Sequence, residues 1–197
     1  MKYLQSIGYK VYVAANEDEI YQKELREKGF TCINIPFNRN PFNIQNIKAY
    51  IKLKSLFTKE SFEMLHVHTP VAAFLTRIAY RNYQKGKLVY TAHGFHFFKG
   101  ASLLNWITYY PLERIAAKWT DSLITINKED FSQASKMGFR KGAVHYVHGV
   151  GVEPLEMNIN DTEIKELRRN IGISEDSIVI SYVAEINKNK NHMFLLR

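Results

Sequence analysis

Apolar and polar positions fall into two kinds of block that alternate along this chain. One kind is a short apolar, β-branched run stopped by Gly, Pro or Asn. Val11 to Ala15, Thr31 to Ile35, Leu65 to Val67, Leu88 to Ala92, Asp121 to Ile126 and Val144 to Val147 read as strands of this kind. The other kind has apolar residues at helical spacing. Glu17 to Lys28 reads as a helix closed by Gly29. Ile44 to Thr58 follows, with Ile44, Ile47, Ile51, Leu53, Leu56 and Phe57 at helical spacing. Val71 to Tyr83, Leu103 to Trp119 and Lys128 to Met137 complete the set, and Pro111 is expected to kink the second of these. Strands alternating with helices predict an α/β fold with a doubly wound parallel sheet.

The pattern changes after His148. The run His148-Gly-Val-Gly-Val-Glu-Pro154 is a glycine-rich turn, and Asn158 to Asp161 is polar. Asp161 is expected to cap a helix from Thr162 to Ile171, Ile178 to Ala184 reads as a strand, and a helix starts at His192. One βα unit cannot bury both faces of its strand. Residues 151–197 therefore read as the start of a second domain, and residues 1–150 as the first. Met1 to Ile7 reads as the last turns of a helix, without the strand that normally precedes it in a doubly wound domain.

Composition narrows the classes. The chain has 197 residues, 46% hydrophobic and 13% aromatic, enough for a core. Lys and Arg number 27 against 19 Asp and Glu, a formal charge of +8. Such a balance suits polyanions, phosphorylated small molecules or anionic lipid, and equally a solvated basic surface. Nucleic-acid binding has only this charge behind it, since no recognition module is visible. The single Cys32 excludes an internal disulfide framework and points to a reducing compartment. No apolar run reaches the length of a membrane span, and the first residues lack the apolar core of a signal peptide.

The candidate chemistry sits where strands end. Lys87 to Ala92 stops at His93-Gly-Phe-His-Phe-Phe-Lys-Gly100, and Met64-Leu-His66-Val-His68 stops at Thr69-Pro70. Open α/β sheets bind ligands at the carboxyl ends of their strands. Two such ends carrying histidines and joined by one crossover predict a single cleft. Thr69-Pro70 also suits a plain helix start, so Thr69 has a capping reading beside a binding one. The aromatic cluster Phe95, Phe97, Phe98, Trp106, Tyr109 and Tyr110 beside Lys99 has two readings. It is either a sugar- or lipid-facing surface or core packing, with packing favoured for Trp106 and Tyr110 at (i, i+4). His66 receives no role.

These segments resemble the GT-B glycosyltransferases of family four, which include capsule and exopolysaccharide enzymes. The likeness lies in His66-Val-His-Thr-Pro70, Thr91 to Gly100, Asn105 to Glu113, Thr120 to Asp130, Gly149-Val-Gly-Val-Glu153 and Glu185-Ile-Asn-Lys-Asn-Lys-Asn-His192. The resemblance implies a Rossmann-like acceptor-side N-terminal domain over 1–150 and the beginning of a donor-binding C-terminal domain over 151–197. It also implies that the family's first strand and glycine loop precede Met1 and that its E-x7-E motif lies beyond Arg197. The chain by itself is then expected to be inactive.

The implied reaction moves a sugar, with retention, from a nucleotide diphosphate donor of the UDP type to a lipid-linked or saccharide acceptor. The implied place is cytoplasmic, at the inner face of the plasma membrane, with peripheral membrane association. Neither a metal nor a cofactor is implied. His93 is the expected catalytic residue, against the transferred sugar. His68, Thr69, Phe95 and Lys99 are the expected acceptor contacts, while Lys190, Lys188, Glu185 and Gly151 are placed on the donor side. Family members carry a basic residue where this chain has Glu185, so the diphosphate grip rests on Lys190 or shifts to Lys188. Two competing readings stand beside this one. The first is a non-catalytic remnant or partner-dependent binding domain. The second is an epimerase of the same architecture, against which the Thr91 to Gly100 segment argues.

Overall fold

The computed structural model describes residues 1–16, 19–83, 85–149, 151, 160–186 and 190–196. The chain divides into two compact units, Met1–Gly151 and Val152–Arg197.

In the first unit the elements run α1 (Lys2–Ser6), β1 (Tyr12–Ala15), α2 (Glu19–Glu27), β2 (Thr31–Asn34), α3 (Gln45–Lys59) and β3 (Met64–His68). They continue with α4 (Pro70–Tyr80), β4 (Lys87–Ala92), α5 (Leu103–Ala116), β5 (Ser122–Thr125), α6 (Lys128–Ala134) and β6 (Val144–Tyr146). Every strand pair is parallel. β1 pairs with β2 in one sheet, and β3-β4-β5-β6 form a second in that order. Among the described residues no ladder joins β1 to β3. The expected α/β architecture with a parallel, Rossmann-like sheet is present.

The core lies where the β-branched runs predicted it. Leu88, Tyr90 and Ala92 of β4 and Leu123 of β5 are buried, as expected of inner strands in a parallel sheet. Helix α3 buries Asn46, Ala49, Leu53 and Phe57, one stripe at helical spacing. The second apolar stripe of the same helix, Ile44, Ile47 and Ile51, faces outward. α5 runs on through Pro111 and tightens into a 3-10 turn at Ala117–Trp119. Trp106 and Tyr110 pack on each other and against the core, their ring centroids 5.7 Å apart. α3 lies beside α4, and α4 beside α5.

One buried ion pair ties this layer to the sheet. Arg77 of α4 is fully buried, its Nη2 lies 2.9 Å from Glu113 Oε1 of α5, and its guanidinium sits 4.4 Å from the centre of the Tyr90 ring.

The second unit holds α7 (Asp161–Asn170) and α8 (His192–Leu195). The cap of α7 is Asn160, one residue before the expected Asp161. Its side chain accepts from the Glu163 N–H while Glu163 bonds back to the Asn160 N–H, a reciprocal capping box. Ile178 to Ala184, expected as a strand, forms no ladder. A strand needs a neighbour, and among the described residues this unit holds no other strand to pair with it. The apolar side chains of the segment are accordingly exposed, Ile178 and Val183 most of all.

Candidate functional site

β3 and β4 pair in a register that sets His68 opposite Thr91, so the two strands end side by side. The residue after each end decides what reaches solvent. After His68, Thr69 takes φ 62° and ψ 142°, close to a region that is almost exclusively glycine's, and Pro70 opens α4 directly. The Thr69 side chain makes no capping hydrogen bond, so the capping reading lacks its contact. After Ala92, His93 leads into Gly94 at φ 146°, a backbone state that glycine adopts at little cost.

These two turns bring the strand-end histidines into contact. His68 Nδ1 and His93 Nε2 share a hydrogen bond of 3.1 Å. His66, to which no role was assigned, joins them. Its ring centroid is 4.3 Å from that of His68, and its Nε2 shares a 2.8 Å hydrogen bond with Thr91 Oγ1. Withdrawal from water, then the charges of His66 and His93, lower the His68 pKa to about 4. The pKa of His66 is lowered as well, first by withdrawal from water and then by His93. His68 is therefore neutral at pH 7. A neutral imidazole can accept at one nitrogen, so His93 can donate an Nε2–H to His68 Nδ1 and be held in one orientation. Among the described residues no group of three or more His, Cys, Asp or Glu is arranged to hold a metal ion.

The loop that carries His93 is pinned from α6. Asn127 caps that helix through the Asp130 N–H, and its amide donates to Asp130 Oδ2 at 2.7 Å. The same Asp130 oxygen accepts from the Phe95 N–H at 3.2 Å, and Glu129 Oε1 accepts from the Lys99 N–H at 2.7 Å. Burial raises the Asp130 pKa, with the Asn127 and Phe95 hydrogen bonds pulling it back. The side chains between these two anchors alternate. Phe95 and Phe97 stack on each other inside the core, whereas His96 stacks on Tyr109. Phe95, expected as an acceptor contact, is 5% exposed and packs in the core. His68, Thr69 and His93 meet at one point, and the exposed Lys99 stands at the far end of the pinned loop.

Glu129 and Asp130 went unassigned from sequence. Their signal was Asn127 three residues before an acid, which marks a helix start. What they hold, thirty or more residues earlier, leaves no local trace.

Glu185 and Lys190, expected on the donor side, are exposed in the second unit. The Tyr182 hydroxyl donates to the Lys190 carbonyl at 2.6 Å. Lys188 lies outside the described residues. Gly149 and Gly151 both have left-handed φ, 77° and 72°, at the end of the first unit.

The profile of the glycosyl transferase 4-like family matches residues 1–127. The chain belongs to that family. EpsD of Bacillus subtilis (strain 168), which carries the glycosyltransferase name, is 38% identical over 198 residues, covering 99% of this chain and 51% of that one. The Escherichia coli UDP-Gal:α-D-GlcNAc-diphosphoundecaprenol α-1,3-galactosyltransferase is 30% identical over 158 residues, covering 79% of this chain and 40% of that one. Anabaena HepE, solved with UDP and glucose, superposes with a TM-score of 0.56 at 17% identity over 82% of this chain and 42% of HepE. The family member described here thus has the Rossmann-like fold of a GT-B glycosyltransferase and spans about half the length of these relatives.

Proposed function

We propose that the chain serves transfer of a sugar from a UDP-sugar to a lipid-linked or saccharide acceptor in surface polysaccharide synthesis, with retention of configuration. The observation that carries this reading is the His68–His93 hydrogen bond at two adjacent strand ends. His93 faces the transferred sugar and hydrogen-bonds its hydroxyls or stabilises developing charge, while His68 fixes the orientation of the His93 ring. Thr69 and Lys99 lie on the acceptor side. Lys190, or Lys188 in its place, grips the donor diphosphate, since an ammonium is an effective point-charge partner for phosphate. UDP is supported as the donor nucleotide by the named donor of the Escherichia coli relative and by the contents of the HepE structure. A lipid-linked acceptor is supported by the diphosphoundecaprenol substrate in the first of those names. The competing reading is a non-catalytic, partner-dependent binding domain.

A chimera separates the two. Residues 1–197 joined in frame to the remaining half of the Bacillus subtilis relative should move labelled sugar from a UDP-sugar onto lipid-linked saccharide, with residues 1–197 alone as the blank. His93→Ala in that chimera should lose on the order of 10²-fold in turnover with an unchanged circular dichroism spectrum. Full turnover in the variant would remove His93 from the reaction. A folded chimera that binds UDP without transferring sugar would favour the binding domain.

A further inference from the structure

One contact is repeated between β3 and β4. His66 and His68 lie two apart on β3, so their side chains leave the same face of the strand. In the register His66 sits opposite Val89 and His68 opposite Thr91. Each histidine nevertheless reaches past its own partner to the next residue of β4 on that face. His66 Nε2 meets Thr91 Oγ1 at 2.8 Å, and His68 Nδ1 meets His93 Nε2 at 3.1 Å. The same diagonal is used within the ladder and again just beyond its end. On the opposite face Val67, Tyr90 and Ala92 are buried in the core and hold the two backbones in place.

The contact inside the ladder is anchored on a buried group. Thr91 is 7% exposed, and a buried hydroxyl requires a partner, which His66 supplies. The His66 ring also lies against the ring of His68, with centroids 4.3 Å apart and planes inclined by 40°. Withdrawal from water lowers the pKa of both rings, so at pH 7 they meet without charge repulsion. A neutral imidazole is a flat ring and a hydrogen-bonding group at once. His66 uses both properties: its nitrogen is tied to β4, and its face limits the rotation of His68.

We propose that His66 is a positioning residue: anchored on Thr91, it holds the His68 ring in the orientation that meets His93. Its effect on turnover rests on the function proposed above, whereas its effect on the rings does not. Phenylalanine at 66 keeps the ring contact and loses the anchor. Valine at 91 removes the anchor from the other strand, and serine at 91 keeps it.

Long-range proton–nitrogen NMR spectra of the labelled imidazoles, taken on the full chain at pH 7, read the ring tautomers. His68 is expected in a single tautomer. His66→Phe and Thr91→Val should each give His68 the averaged pattern of a free imidazole, while Thr91→Ser should keep the single form. Circular dichroism and melting temperature confirm that each variant is folded, and since the two strands are altered separately, one folded variant suffices. In the chimera, kcat for His66→Phe and Thr91→Val should fall about tenfold with the KM for UDP-sugar changed by less than about twofold, because a misplaced group costs turnover rather than donor binding. Thr91→Ser should recover most of that loss. Unchanged His68 spectra in either folded variant overturn the proposal. Full turnover in His66→Phe, where His93→Ala has lost it, overturns it as well. Averaged tautomers together with full turnover in His93→Ala would uphold the positioning and remove the catalytic reading of the pair instead.

Discussion

Replacing Glu113 by glutamine should expose how strongly the first unit depends on one buried pair. Arg77 cannot lose its charge, and its side chain is fully buried. Its Nη2 reaches both carboxylate oxygens, at 2.9 and 2.8 Å, and its Nε donates to the Ala73 carbonyl at 3.2 Å. Nη1 has no hydrogen-bond partner among the described residues. Burial raises the Glu113 pKa while Arg77 pulls it down, so the carboxylate depends on Arg77 as Arg77 depends on it. Removing one partner of a buried pair destabilises by about 3–5 kcal/mol, because a charge is left without compensation. Glutamine keeps the shape and one acceptor, which sets the expected loss near the lower figure, about 3 kcal/mol. For a domain of this size that lowers the melting temperature by about 6–12 °C. Thermal and urea unfolding at pH 7, followed by circular dichroism, would measure it. Arg77→Met/Glu113→Leu should recover most of the loss, because apolar replacement of both partners is often neutral or better. A loss below about 1 kcal/mol for Glu113→Gln, or a double variant that merely adds the two single losses, would refute the reasoning.

Three further outcomes follow from the site. His68 binds its proton with a pKa of about 4 when folded, against an ordinary 6.5, so the unfolded chain takes up more protons between those values. Stability should therefore fall as pH drops from about 6.5 to about 4, by on the order of 1 kcal/mol after discounting for the ring's exposure, and His68→Gln should flatten the slope of urea midpoint against pH. Asp130→Ala frees the Phe95 N–H and the Asn127 amide, so amide exchange should quicken over residues 93–99 and chimera turnover should drop at least tenfold, whereas protection confined to its old level would show the loop to be self-supporting. Lys190→Ala in the chimera should reduce UDP affinity about tenfold or more by calorimetry. An intact affinity there with a loss in Lys188→Ala moves the phosphate grip to Lys188, and no loss in either leaves the loop as plain surface.

Much of the architecture was legible because each strand and its following helix carry local signals. The run Leu88 to Ala92 announced an inner strand, and its stop set His93 at the carboxyl end of that strand. The same local logic failed at Ile178 to Ala184, where a pattern suited to a strand meets no neighbour to complete it. Helix α3 shows a different limit. Ile44, Ile47 and Ile51 have the spacing of a buried face, yet the stripe through Ala49, Leu53 and Phe57 is the one that packs inward. Periodicity finds apolar stripes, and only the sheet beneath selects between them. Phe95 lay beyond the same horizon, since alternation in an extended loop turns it inward while its neighbour His96 meets Tyr109. The contact of His66 with His68 required only a regular strand. The anchoring of the loop by Glu129 and Asp130 is a long-range contact with no periodic signature.

The separation of β1 and β2 from the other four strands makes the first unit mechanically uneven. A parallel pair held by one ladder opens by breaking few bonds, whereas β4 can be freed only by stripping a ladder on each side and emptying the core around Tyr90 and Leu123. Partial unfolding is expected to begin at β1 and β2 and to leave the inner strands β4 and β5 standing, an order that amide exchange would read. His93 belongs to the part that stands, and His68 to neither β1 nor β2. The candidate site can persist in a partly opened molecule, and loss of the first two strands by proteolysis or breathing need not erase it.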